Sequence, residues 1–220
     1  MKKINVITID GPSASGKGAL ARQIASKFSI NILDSGVLYR LFAYFDNLAI
    51  AHSEIAKKIQ QEINFNLKID RLQILNNEKD ITSELRSEDI AKKASKLSSK
   101  KEVRSLLFNI QRSFYSTKGL VADGRDMGTV VFKDAKLKIF LTASSKIRAK
   151  RRYIELQNLG QEVNMPDLIA DIESRDLKDR TRTISPLIPA EDSIVIDSSN
   201  MSLDEVLSFT KKLTKKEFNK

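Results

Sequence analysis

With 220 residues and no cysteine, the chain can build one sizeable core with elaborations, and it can form neither disulfides nor cysteine-ligated zinc sites. Lysine and arginine number 38 against 28 acidic residues, a formal charge of +10, while aromatics make up only 6% and show no alternation with basic residues of the kind that stacks bases. That balance leaves nucleic acid and small polyanions in a cleft both open as partners, and charge alone does not choose between them.

The start, Met1-Lys-Lys-Ile-Asn-Val6, passes straight into the first apolar run and leaves no room for a signal peptide. No apolar stretch nears the roughly 20 residues that span a bilayer, so the expectation is a soluble, cytoplasmic protein with no membrane partner. Ile4 to Ile9 reads as a strand buried on both faces. The segment Gly11-Pro-Ser-Ala-Ser-Gly16-Lys17-Gly18 follows, and then Leu20, Ile24 and Phe28 recur every four residues as one helix face. Strand, glycine loop and helix in this order aim several backbone N–H groups and a positive helix end at one anion. Gly11 and Gly16 let the chain wrap closely, and Lys17 supplies a mobile cation.

A second apolar run, Ile30 to Leu33, leads into Asp34-Ser35-Gly36 and a helix carrying Leu38, Leu41, Phe42 and Phe45. Phe65 to Ile69 and Leu72 to Leu75 alternate like short half-exposed strands, with Asn76-Asn77 and Lys79-Asp80 as turn material. This small cluster reads as an insert. Long polar helices are expected from about Ser87 through Thr117, strands at Leu120 to Asp123 and Leu137 to Thr142, and a basic helix from Ser144 to Leu159. A helix from Pro166 to Lys178, a strand from Ser193 to Asp197 and a helix from Ser202 to Leu213 complete the pattern. Ser202 and Glu205 are spaced as a capping box. Alternating strands and helices imply an α/β parallel sheet covered on both faces, with the ligand at the carboxyl ends of the strands.

Asp10, Asp34 and Asp123 all follow apolar runs, where they could serve a hydrated Mg²⁺. Asp10 could equally cap the next helix. Asp123, flanked by Gly124, Arg125 and Asp126, is a catalytic candidate. Arg40, Arg104, Arg125, Arg148, Arg151, Arg152, Arg175, Arg180 and Arg182 gather beside turns and strand ends, as the charge of a moving phosphoryl group requires. The stretch from Arg175 to Arg182 interleaves carboxylates among its cations, which suits ribose and phosphates better than a nucleic-acid backbone. His52 is the only histidine, so a histidine triad or a histidine zinc site has no support.

Four segments together resemble the bacterial cytidylate kinase family over nearly the whole chain: Asp10 to Gly18, Leu33 to Arg40, Ala122 to Phe132, and Arg175 to Pro186. The resemblance implies a P-loop parallel-sheet core with helices on both faces, a small β-sheet inserted in the monophosphate-binding part, and a short helical lid. Its expected division is core at 1–34, monophosphate-binding part at 35–117, core at 118–147, lid at 148–175 and core again at 176–220. It implies ATP-dependent phosphorylation of CMP and dCMP to CDP and dCDP, with Mg²⁺, in pyrimidine nucleotide metabolism.

Gly11, Pro12, Ser13, Ala14, Ser15, Gly16, Lys17, Gly18 and Ala19 would cradle ATP, and Lys17, Asp123, Arg125 and Arg182 would be the catalytic set. Ser35, Arg40, Arg125 and Arg182 match positions around the monophosphate's phosphate. Ser95, Arg104 and Asp126 match those that read the base, and Arg175 and Asp179 those near the ribose. Arg148, Arg151 and Arg152 would close over ATP, with Gly160 near the lid tip. Asp34 and Asp123 would hold the metal through water. One departure stands out: the family's loop commonly continues Gly-Lys-Gly-Thr, whereas here Ala19 lacks the hydroxyl. A kinase for another small acceptor and a nucleic-acid binder switched by ATP are the rival readings. A monomer is expected.

Overall fold

The computed structural model describes residues 3–68, 71–158, 160 and 162–218. In chain order it contains β1 (Ile4–Asp10), α1 (Lys17–Phe28), β2 (Asn31–Asp34), α2 (Ser35–Asn47) and α3 (His52–Gln61). The strands β3 (Ile63–Leu67), β4 (Leu72–Asn76) and β5 (Lys79–Asp80) come next, then α4 (Glu88–Leu97) and α5 (Lys101–Ser113). β6 (Leu120–Gly124), β7 (Ala135–Thr142), α6 (Ser145–Asn158), α7 (Met165–Thr181), β8 (Ile194–Asp197) and α8 (Leu203–Phe218) complete it. A π-turn at Met127–Val131 links β6 to β7.

Five strands form one parallel sheet in the order β2-β6-β1-β7-β8. Its two faces carry separate cores because side chains alternate along each strand. Ile7, Ile9, Val121 and Ile139 point to one side and pack with Leu20 and Ile24 of α1 and Val206 of α8. Val6, Leu33, Leu120 and Ala122 point to the other, under Leu38, Phe42, Val103 and Leu107. β1 lies between β6 and β7, so the chain's excursions diverge on either side of its carboxyl end. That is where an open parallel sheet leaves a crevice.

The inserted strands pair antiparallel in the order β3-β4-β5, a sheet of their own. Lys79 and Asp80 are strand rather than turn. Asn77 and Glu78 carry the reversal with φ of 44° and 71°, the left-handed pair that a two-residue hairpin needs. Ile69 and Leu159, read from the sequence as element ends, lie outside the described residues. The long helical stretch breaks after Leu97 and ends at Ser113, four residues before Thr117. Both pieces are apolar on their inner faces through Ile90, Leu97, Val103 and Leu107. α7 runs on past Lys178 to Thr181, which puts Arg175 and Asp179 one turn apart on the same face. The capping box holds: Ser202 N–H donates to Glu205 Oε2 at 2.8 Å and Glu205 N–H to Ser202 Oγ at 3.2 Å. No helix among the described residues is long and apolar enough to cross a membrane.

Candidate active site

The glycine loop leaves β1 with Gly11 pressed on β7: an added Cβ there would lie 2.0 Å from the carbonyl oxygen of Leu141, and φ is 151°. Gly16, with φ of 95°, takes the left-handed conformation at the N-cap of α1. Lys17 arches back over the loop, its Nζ donating to the Pro12 carbonyl at 2.7 Å and reaching Ser15 Oγ at 3.4 Å. Burial, then the Arg125 charge, hold its ammonium below the usual lysine range. Burial pushes Asp123 the other way, against the pull of Lys17.

Asp10 caps no part of α1. Its carboxylate accepts from the backbone N–H groups of Met127 and Gly128 at 2.8 and 2.7 Å, pinning the turn after β6 to the phosphate strand. Burial raises its pKa to about 6 in spite of those bonds. The aspartate that does cap a helix is Asp34, which accepts from Val37 N–H at 3.1 Å at the start of α2.

Two cavities open beyond the strand ends. The larger, about 500 Å³, is lined by the loop from Ser13 to Ala19 together with Asp34, Asp123, Arg151 and Arg152. The smaller, about 120 Å³, is lined by Ser35, Tyr39, Ser95, Arg104, Asp126, Asp179 and Arg182. Arg40, Arg125 and Arg175 line both, so the wall between the two cavities is a row of guanidiniums. Burial lowers the pKa of Arg40 and Arg175.

Inside the smaller cavity the charges are cross-paired. Arg104 Nη2 donates to Asp126 Oδ2, and Arg182 Nη2 lies 4.0 Å from Asp126 Oδ1. Arg125 Nε donates to Asp179 Oδ2 at 3.0 Å, with Arg182 Nη1 3.9 Å from the same carboxylate's other oxygen. Arg182 Nη2 is buried and has no hydrogen-bond partner among the described residues, an unmade bond that costs free energy. Asp34 and Asp123 are register partners on adjoining strands. Among the described residues no three acidic or histidine side chains gather into a cage. Two carboxylates facing a wet cleft fit Mg²⁺, which keeps most of its waters, better than they fit a fully protein-ligated metal.

Of the three lid arginines, Arg151 and Arg152 line the larger cavity and Arg148 does not. Arg148 is buried beneath the phosphate loop, where Nη1 donates to Asp176 Oδ1 and to the Ser13 carbonyl, each at 3.1 Å. Breaking a buried pair of this kind strongly destabilises a fold, so Arg148 props the loop from below. Arg151 donates to the Ser15 and Ser198 carbonyls, and Arg152 to Glu88 at the start of α4, joining α6 to the monophosphate side. Arg180 and Gly160 line neither of the two cavities. Asp176, Glu88, Tyr39 and Gln111 escaped the sequence reading. Asp176 sits beside Arg175 and was legible as a charge, but its partner lies 28 residues away.

The sequence of residues 7–216 matches the family model described as cytidylate kinase. A cytidylate kinase from Acinetobacter baylyi is 46% identical over 211 residues, covering 92% of this chain and 93% of that protein. Another, from Cupriavidus necator, is 44% identical and covers 94% of each. Among solved structures, an uncharacterised protein from Eubacterium ventriosum aligns over 98% of this chain with a TM-score of 0.56 at 13% identity, a likeness of fold alone.

Proposed function

The chain belongs to the cytidylate kinase family, and on that premise we propose how its residues divide the work of phosphorylating CMP and dCMP with ATP. The observation that carries the division is the row of Arg40, Arg125 and Arg175 shared by two adjoining cavities. ATP takes the larger cavity, its β and γ phosphates over the loop amides and Lys17. The monophosphate takes the smaller one. An oxygen of its 5′ phosphate attacks the γ phosphorus in line, the bond to the ADP oxygen breaks, and CDP and ADP result. The guanidiniums neutralise charge on the equatorial oxygens as it moves. Arg182, which lines the smaller cavity and not the larger, holds the acceptor phosphate from the far side.

Asp34 and Asp123 would hold Mg²⁺ through its waters. The ion, when bound, would supply positive charge that offsets the charge of the phosphates. Arg151 and Arg152 flank the ATP cavity from the lid. The join from Arg152 to Glu88 ties lid and monophosphate side together, and closure of the two over bound nucleotides would exclude water as a competing acceptor. The divisions at 35–117 and 148–175 are the moving parts of this scheme, and a cytoplasmic monomer is its simplest setting. Arginines turned inward onto carboxylates favour small phosphates over nucleic acid.

Asp126, paired to Arg104, presents an acceptor for the cytosine N4 amine beside donors for its ring acceptors. Uracil offers an acceptor where cytosine offers that amine. A coupled assay across CMP, dCMP, UMP, AMP and GMP should rank the cytosine nucleotides first. Asp126→Ala should erase about 5- to 150-fold of the preference over UMP, the worth of one good base contact. Preference for a non-cytosine acceptor would remove the roles given to Asp126 and Arg104.

Ala19 lines the ATP cavity on the first turns of α1. Ala19→Thr restores a hydroxyl within reach of phosphate or hydrated metal. The ATP KM should fall about two- to tenfold, one net hydrogen bond. An unchanged or higher ATP KM would count against this.

A further inference from the structure

Gln111 is only 2% exposed, and its Nε2 donates to Ser35 Oγ at 2.9 Å. It lies seven residues after Arg104 on α5, two helical turns along the same face. A hydroxyl has one hydrogen and two lone pairs, so an amide hydrogen on one lone pair leaves the Ser35 hydrogen to find another acceptor. Serines inside helices commonly send it to the carbonyl four residues back. Ser35 is the first residue of α2, and the residue four back, Asn31, is in β2, so that outlet is missing. Among the described residues the Ser35 side chain makes no other hydrogen bond. It is nearly buried and lines the smaller cavity.

We propose that Gln111 is a positioning residue for the acceptor nucleotide: its amide fixes the Ser35 hydroxyl as a hydrogen-bond donor into the monophosphate cavity, toward an acceptor oxygen of the bound nucleotide. This rests on the reading that Ser35 touches the monophosphate. Gln111 itself reaches no ligand. A buried amide serving only to stitch α5 to α2 would act on stability and on both substrates alike. An amide that orients Ser35 acts on the acceptor nucleotide alone.

The test is steady-state kinetics on the full-length enzyme with Gln111→Met, Ser35→Ala and the double variant, together with thermal melts. Gln111→Leu is the second variant should the methionine pack poorly. Gln111→Met should raise the CMP KM about three- to tenfold, the loss of one neutral hydrogen bond. The kcat and ATP KM should stay within about twofold, since an interaction made equally in ground and transition state shows in KM. Ser35→Ala should raise the CMP KM by a similar factor, and the double variant should add nothing to it. If Ser35→Ala leaves the CMP KM unchanged, the underlying reading of Ser35 fails and this inference with it. If Ser35→Ala raises it while the Gln111 variants do not, Ser35 stands and Gln111 is overturned. Effects that multiply in the double variant, or an equal rise in the ATP KM, also overturn it.

Discussion

Lys17→Ala should lower kcat for CMP phosphorylation by about 10²- to 10³-fold, the usual loss when one preorganised charge at a transition state is removed. The fold should stay intact. Burial holds the Lys17 ammonium well below its unfolded value, down to about 8 from 10.5. On lowering pH through that window, the unfolded chain takes up the proton before the folded one does. Stability attributable to Lys17 therefore rises with pH between about 8 and 10.5, and at neutral pH the charged lysine weighs against folding. Its removal also strips the buried Asp123 and Asp10 of a balancing charge, so two opposed effects act on stability while turnover collapses. ATP phosphates favour the charged lysine, so ATP binding near pH 9 should take up protons. Calorimetry in two buffers of different ionisation enthalpy reads that uptake. Turnover within tenfold of wild type would take Lys17 out of the catalytic set.

The phosphate loop was legible because all of its parts are contiguous: the glycines, Lys17, the apolar run before and the helix after. The same holds for Arg40 and Arg125, which lie in the segments that follow β2 and β6, whereas Arg175 lies inside α7 and stood out only through the charged cluster it opens. What stayed hidden was pairing across long separations. Asp10 serves amides 117 and 118 residues further along the chain, and no local pattern announces such a partner. Arg148 looked like its neighbours Arg151 and Arg152 as one charge among several on a basic helix. All three share one helix face, but Arg148 lies a turn nearer the start of α6, where it meets Asp176 and the Ser13 carbonyl, while the other two reach the cavity. Gln111 carried no charge and no motif. Its sole clue was the seven-residue spacing from Arg104, which has meaning only once Arg104 is known to face a cavity. The hairpin between β4 and β5 misled for a different reason. Lys79 and Asp80 have poor strand propensity, yet the left-handed Asn77 and Glu78 close the chain so tightly that pairing begins at once.

Arg125 is the residue on which the two-cavity arrangement bears hardest. Its Nε is committed to Asp179 and its Nη1 reaches the Gly124 carbonyl at 3.3 Å, so the guanidinium plane is set before any ligand arrives. It lines both cavities, whereas Arg182 lines only the smaller. A fork held at the junction can meet the transferring group only when that group lies between its donor and acceptor. Its interaction is therefore greatest in the transition state, and such interactions raise kcat rather than lower KM. Arg125→Ala should lower kcat by about 10³-fold or more, within the range of arginines that stabilise a transferring phosphoryl group. Arg182→Ala should act mainly on the CMP KM. Arg125→Lys should recover only part of the loss, because a lysine carries the charge without the planar fork or the anchor to Asp179. Near-normal kcat in Arg125→Ala, or full recovery with lysine, would show that charge in the vicinity suffices and that the fixed fork contributes nothing.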